Sequence, residues 1–264
     1  MAERGDVALH ARGLTVRRAG RTVLASVDVE VRYGELVVVL GPNGAGKSTL
    51  LRALAGLWAS QGEVLLDGVA LGRLGPRARA ARLTFVPQRS GLAARLRVDA
   101  VVAQGRFAHA GYLGSLSGSQ RAAVHEAMAR VDVLHLAERF YTELSEGEAR
   151  RVVLARALAT GARVLLLDEP TAALDIRHAL TLRRSLRGLA DAGFALVVVL
   201  HDLDDASTLA DRAILLRDGR IVRSGPPADV IAPDPIREVY GVELVPAGGL
   251  GFRLAGRGDA EGRA

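Results

Sequence analysis

Apolar and polar positions along this chain follow two different rhythms. Near the start, "VALHARGLTV" (7–16) and "VDVEV" (27–31) alternate, and a period of two predicts half-buried strands. Three later runs do not alternate. "ELVVVL" (35–40), "VLLLDEP" (164–170) and "FALVVVL" (194–200) are apolar nearly throughout, the pattern of parallel strands covered on both faces. "LTFVPQ" (83–88) reads as another short strand. Helical character predominates in "STLLRALAGL" (48–57), "RVDAVVAQGR" (97–106), "SQRAAVHEAMARV" (119–131) and, from the Ser145 cap onward, "ELSEGEARRVVLARALA" (143–159). In the last of these, Ser145 stands three residues before Glu148 and ahead of an apolar stripe through Val152, Val153, Ala155, Leu158 and Ala159, the signature of a capping box. "AILLRDGRIVRSG" (213–225) predicts a hairpin turning at Asp-Gly. "FAHAGYLGSLSGSQ" (107–120) is the least regular stretch, and the tail "AGRGDAEGRA" (255–264) is expected to be disordered.

Composition narrows this. The 264 residues suit one large α/β unit, and 49% hydrophobic content is enough for a core. With aromatics at 4%, that core must be mostly Val, Leu and Ala. There is no cysteine, which excludes disulfide frameworks and thiolate metal sites. The first ten residues lack the apolar stretch of a secretory signal. The longest apolar run, 194–200, falls far short of the roughly 20 residues that span a bilayer, so the chain is expected not to cross a membrane by itself. The net charge of +6 comes from scattered arginines with no block of like charge, which points to a solvated surface and away from nucleic acid.

One compositional detail carries chemistry. Lys47 is the single lysine of the sequence; every other cation is arginine. A lone ammonium in that background marks a place where a planar guanidinium will not serve. It falls in "GPNGAGKST" (41–49), which fits G-x-x-x-x-G-K-[ST] between a buried strand and a helix. Glycines there let successive backbone N–H groups wrap a phosphate. Lys47 can reach β- and γ-phosphates, and the Ser48 hydroxyl can ligate Mg²⁺. The run "VLLLDEP" ends in two acids, at the strand end where open α/β sheets bind ligands. Asp168 can hold Mg²⁺ and Glu169 can orient and deprotonate a water; alternatively Asp-Glu-Pro only terminates a strand. His201, after the 194–200 run, can contact a γ-phosphate and that water, or cap a helix. Gln88 can bind Mg²⁺ or water, or be an ordinary loop residue.

Taken together, "GPNGAGKST", "FVPQ", "LSEGEARRVVLARALA", "VLLLDEPTAALD" and "VLHD" resemble, in order and spacing, the ATPase subunit of ABC transporters over residues 7–240. The resemblance implies a P-loop fold with a RecA-like mixed sheet, an N-terminal antiparallel portion and an inserted helical subdomain. Residues 7–90 and 161–245 would form the nucleotide-binding core, and 91–160 the helical subdomain that meets a membrane partner, within a single domain. It further implies ATP bound by Gly41, Pro42, Asn43, Gly44, Ala45, Gly46, Lys47, Ser48 and Thr49 and Mg²⁺ held by Ser48, Gln88 and Asp168. In the same pattern Glu169 and His201 are catalytic, and Asp175 is the aspartate of the D-loop. The family works as a head-to-tail dimer, so Ser145, Glu146, Gly147 and Glu148 would meet the ATP of the opposite subunit. One such loop per chain implies pairing with itself or with a sister ATPase.

Two positions depart from the family pattern. Glu146 occupies the place of the first signature glycine; its carboxylate either turns outward, favouring the helix dipole, or faces and repels the phosphate. Arg18 stands where an aromatic often stacks on adenine, and is read either as a guanidinium stacking on the base or as a solvated surface residue. The segment "LRDGRIVRSGPPADVIAPDPIREVYGVEL" and "VVAQGRFAHAG" are similar to ATPases that import iron-chelates, haem and vitamin B12. That likeness implies a homodimer at the cytoplasmic face of the membrane, beneath permease subunits fed by a separate substrate-binding protein. A soluble ABC protein of DNA repair or translation usually carries two ATPase units or a long coiled coil. A signalling GTPase needs an Asn-Lys-x-Asp motif that a chain with one lysine cannot have.

Overall fold

The computed structural model describes residues 3–88, 95–107, 116–246 and 250–254. The first strands are β1 (Val7–Arg18) and β2 (Arg21–Arg32), then β3 (Leu36–Leu40) leads into helix α1 (Lys47–Leu54). A hairpin follows, β4 (Gln61–Leu66) and β5 (Val69–Ala70), then α2 (Pro76–Ala80) and β6 (Leu83–Val86). The next described elements are α3 (Val98–Ala103), α4 (Gly118–Arg130) and α5 (Glu146–Ala159). From β7 (Val164–Asp168) the chain alternates through α6 (Ile176–Asp191), β8 (Ala195–Val199), α7 (Leu203–Leu209), β9 (Arg212–Arg217) and β10 (Arg220–Gly225). It continues with α8 (Pro227–Val230), α9 (Pro233–Tyr240) and the hairpin β11 (Val242–Pro246) with β12 (Leu250–Leu254).

The central sheet has the order β10-β9-β3-β8-β7-β6, parallel from β9 to β6 with β10 antiparallel at one edge. Its runs of Val and Leu are what a sheet covered on both faces needs. Leu36, Val38 and Leu40 face one core with α5 and α6, whereas Val37 and Val39 face a second core with α1, β1 and β2. β7 and β8 alternate the same way between the two cores. Each fully buried Val or Leu contributes about 1.5–3 kcal/mol, so continuous burial along three adjacent strands fixes this sheet firmly. The alternating strands β1 and β2 lie in a separate antiparallel sheet, β2-β1-β4-β5, that packs its apolar face into the second core.

The Asp218-Gly219 turn joins β9 and β10 with φ of 48° and 73°, the primed turn expected for this pair. It also braces the phosphate loop, because the Gly219 N–H donates to the Ala45 carbonyl over 3.0 Å. The β4–β5 hairpin turns on Asp67-Gly68 with nearly the same angles, 50° and 73°. The expected disorder of 255–264 and most of the irregular stretch at 107–120 lie outside the described residues. The architecture brings the C-terminal ends of β3, β8 and β7 side by side. The segments leaving those ends are 41–46, 200–202 and 169–175, so the sheet delivers three sequence-remote loops to one edge.

Candidate functional site

At the end of β3 the chain turns back on itself through Gly41, with φ 147°; a Cβ there would lie 2.1 Å from the Leu216 carbonyl oxygen. Gly46, at φ 105°, is the N-cap of α1, and no side chain among the described residues caps that helix. Its first N–H groups therefore remain available to an anion, aided by the helix dipole. Asn43 and Gly44 form the exposed crest, while Ala45 and Thr49 are buried behind it. The Lys47 side chain lies along the inside of the loop and donates to the carbonyls of Gly41 (2.7 Å) and Pro42 (3.0 Å). Burial pushes the Lys47 ammonium below its usual range, while Glu169 and Asp168 pull the other way.

The Ser48 hydroxyl donates to Asp168 Oδ1 over 2.9 Å. Asp168 is buried at the end of β7, and that burial raises its carboxyl above the usual range, against the Ser48 hydrogen bond and the nearby Arg52 guanidinium at 3.7 Å. A hydroxyl and a carboxylate in contact are hard oxygen donors of the kind that Mg²⁺ takes beside phosphate oxygens. The residues present therefore fit that ion.

Glu169 follows directly and has φ 50°, a left-handed conformation that costs energy for a residue with a side chain. Its two carboxylate oxygens are each engaged. Oε1 meets His201 Nε2 at 2.5 Å, and Oε2 accepts from Gln88 Nε2 at 2.5 Å. Two residues read separately from the sequence, His201 and Gln88, thus converge on the Glu169 carboxylate. The helix-cap alternative for His201 is corrected: the cap of α7 is Asp202, whose Oδ1 accepts from the Asp205 N–H at 3.0 Å.

Ser145 caps α5 as a full capping box, accepting from the Glu148 N–H (3.3 Å) while Glu148 Oε2 accepts from the Ser145 N–H (2.8 Å). Asp175 caps α6 through the His178 N–H (2.8 Å), which holds its carboxyl below the usual range, and its other oxygen meets His178 Nδ1 at 2.8 Å. Among the described residues no hydrogen bond or ion pair joins the 145–148 turn to the phosphate loop. Such a chain can bind a polyphosphate, place a metal beside it and present a polarised carboxylate to a water.

Comparison with known proteins decides what kind of molecule carries this arrangement. The family described as ABC transporter matches residues 24–172. The chain belongs to the ABC transporter family. It is 49% identical over 245 residues to the hemin import ATP-binding protein HmuV of Streptomyces coelicolor, covering 92% of this chain and 87% of that protein. It is 44% identical over 234 residues to the cobalamin import ATP-binding protein BtuD of Halobacterium salinarum strain R1, covering 88% of this chain and 58% of that protein. Among solved structures, the dimeric structure of a bacterial ABC transporter cassette superposes with a TM-score of 0.70 at 29% identity, over 83% of this chain and 98% of that one. As a member of this family the chain is an ATP-hydrolysing subunit of an ABC transporter.

For an ABC ATPase the two departures now have concrete geometry. Arg18 is not simply solvated: its guanidinium lies 4.2 Å from the centre of the Trp58 ring, a cation–π stack within the chain. Glu146 is 57% exposed and pairs with Arg150 at 3.7 Å, one turn along α5. Arg150 in turn donates to the backbone carbonyl of Gln88. With the Glu146 carboxylate largely in solvent and a long contact, such a pair is worth about 0–1 kcal/mol, although the Arg150 side chain is only 16% exposed. Glu146→Gly is therefore expected to change the ATPase rate less than about threefold. A gain above about tenfold that shrinks with added salt would mean that Glu146 faces the phosphate and restrains the site.

Sequence reasoning missed four residues of this neighbourhood: Arg52, Trp58, Arg150 and His178. Arg150 was legible as the i+4 partner of Glu146, and His178 as the third residue after a capping Asp. Gly147 packs directly on His178, since a Cβ at 147 would lie 2.3 Å from His178 Cγ. The glycine is thus demanded inside the chain, by a residue of the helix that Asp175 opens. Among the described residues no helix is long and apolar enough to cross a membrane.

Proposed function

We propose that this chain hydrolyses Mg-ATP in a head-to-tail homodimer beneath a membrane permease and so drives uptake of haem, cobalamin or a related metal-chelate. The observation that carries the hydrolytic part is the Glu169 carboxylate, held by His201 and Gln88 beside the Ser48–Asp168 pair.

The N–H groups of Gly44–Thr49 and the Lys47 ammonium bind the β- and γ-phosphates. Ser48, Gln88 and Asp168 would hold Mg²⁺, which would neutralise charge on the phosphate oxygens. Glu169 orients the attacking water and accepts its proton, and His201 fixes the carboxylate and reaches towards the γ-phosphate. Ser145, Gly147 and the first N–H groups of α5 close over the ATP of the opposite copy, with Asp175 at the seam between the two. Arg18, backed by Trp58, offers its free face to adenine. The helices α3, α4 and α5 would meet the permease, with the dimer at the cytoplasmic face of the membrane. The substrate class rests on the hemin and cobalamin import relatives.

The test is transport. The chain is co-reconstituted in proteoliposomes with its genomic-neighbour permease and binding protein, and ATP-driven uptake of haem, cobalamin and a ferric chelate is compared. Uptake of one of the three that requires ATP supports the reading; ATP hydrolysis with none of them transported overturns the substrate class.

A further inference from the structure

Behind Glu169 lies a cavity of about 290 Å³, lined by Glu169, Ala179, Arg183, His201, Asp202 and Asp205 among others. Its far wall is an ion pair between Arg183 on α6 and Asp205 on α7. The Asp205 side chain is 8% exposed, so this is a pair taken largely out of water. Burial raises the Asp205 carboxyl above its usual range, the Arg183 charge opposes that, and Asp202 and Asp204 add further repulsion. Arg183 is itself imperfectly satisfied, with a buried Nε that has no hydrogen-bond partner among the described residues. A pair with these costs is a weak device for stability, because two apolar side chains would serve as well.

Its place in the fold supplies a different reason. The Asp205 N–H is held by Asp202, the residue directly after His201, and His201 holds Glu169. Arg183 lies two turns along the helix that Asp175 opens. The contacts close a ring around the cavity: Glu169 to His201, through the α7 cap to Asp205, across to Arg183, and back along α6 to Asp175 and the 170–174 turn. We propose that Arg183 and Asp205 are positioning residues for ATP hydrolysis, which tie the His201 loop to α6 so that His201 is held on Glu169 only while α6 keeps its place. Because α6 begins at Asp175, a shift of that end on dimer closure reaches His201 through this pair. The inference rests on the role given above to His201.

The test is a double-mutant cycle on the full chain, with ATPase kinetics and the His201 ring resonance in proton–carbon NMR, assigned by its loss in His201→Ala. Asp205→Asn is expected to lower kcat about tenfold or more with KM for ATP changed less than about twofold, and to shift the His201 resonance. In the His201→Ala background the same change should cost less than about a further twofold, since the group it positions is gone. If the two losses multiply, or if Asp205→Asn keeps kcat within about twofold of wild type, the pair does not act through His201 and the inference fails. Should Asp205→Asn not fold, Arg183→Met with Asp205→Leu removes both charges at similar volume. That variant is expected to fold, with the His201 resonance shifted and kcat lowered; wild-type kcat with an unshifted resonance overturns the proposal. A His201→Ala variant as active as wild type would instead refute the role of His201 itself, a separate outcome.

Discussion

Glu169→Gln is expected to abolish nearly all ATP turnover while leaving ATP binding intact. Removal of a positioned general base costs about 10²–10⁴-fold in rate. The substitution is nearly isosteric, and what it changes can be followed atom by atom. His201 Nε2 can still meet the amide oxygen at the Oε1 position. At the Oε2 position an NH₂ would now confront the Gln88 NH₂ that donates there at 2.5 Å, so one of the two amides must rotate. Neither arrangement leaves a group able to take a proton from water. Binding should survive, because Lys47, the Gly44–Thr49 amides and the Ser48–Asp168 pair are untouched. Losing a negative charge next to the phosphates favours retention of ATP still further. Size-exclusion chromatography with Mg-ATP should therefore show a dimer that persists in the variant and decays in the wild type. Turnover within about threefold of wild type would remove Glu169 from the role of base.

The parts of this site that were legible from the sequence share a physical cause. Buried parallel strands leave short runs of Val and Leu, and each run here leads into a chemical residue: β3 into Gly41, β7 ending at Asp168, β8 shortly before His201. The phosphate loop is equally legible because backbone angles such as φ 147° at Gly41 and 105° at Gly46 demand glycine. The capping box at Ser145 was readable because it is local, spanning three residues. What could not be read is lateral. Trp58 beneath Arg18, His178 against Gly147 and Asp205 against Arg183 are contacts between segments whose approach depends on how helices lie on the sheet. The second sequence-strand pattern also has a limit. The β4–β5 hairpin carried the same Asp-Gly signal as β9–β10 yet was not anticipated, because "GEVLL" begins with two polar exposed positions and shows no alternation. Glu146 illustrates the gap between pattern and geometry: as a departure from the signature it allows two orientations, and its pairing with Arg150 favours the outward one, which Glu146→Gly tests.

Lys47→Arg is expected to weaken ATP binding on the order of 100-fold, although it preserves charge. The Nζ atom lies between the Gly41 and Pro42 carbonyls at 2.7 and 3.0 Å, and the residue is only 6% exposed. A compact ammonium fits that channel and can turn its three donors from these carbonyls to phosphate oxygens. A guanidinium is planar, longer and wider, and its fork would meet the loop backbone where the chain is least able to move. Gly41 lies so close to the Leu216 carbonyl that even a Cβ there would sit 2.1 Å from its oxygen, and Gly219 donates to Ala45 from the other side. The loop must then deform or the side chain must leave it. Either course forfeits one or two charge-assisted hydrogen bonds to phosphate, each worth about 1.5–3 kcal/mol, or about tenfold per 1.4 kcal/mol. Isothermal titration with Mg-ATP measures the loss directly, and a melting temperature taken without nucleotide separates it from misfolding. An affinity within about threefold of wild type in a folded variant would mean that the single lysine of this arginine-rich chain is not there for its shape.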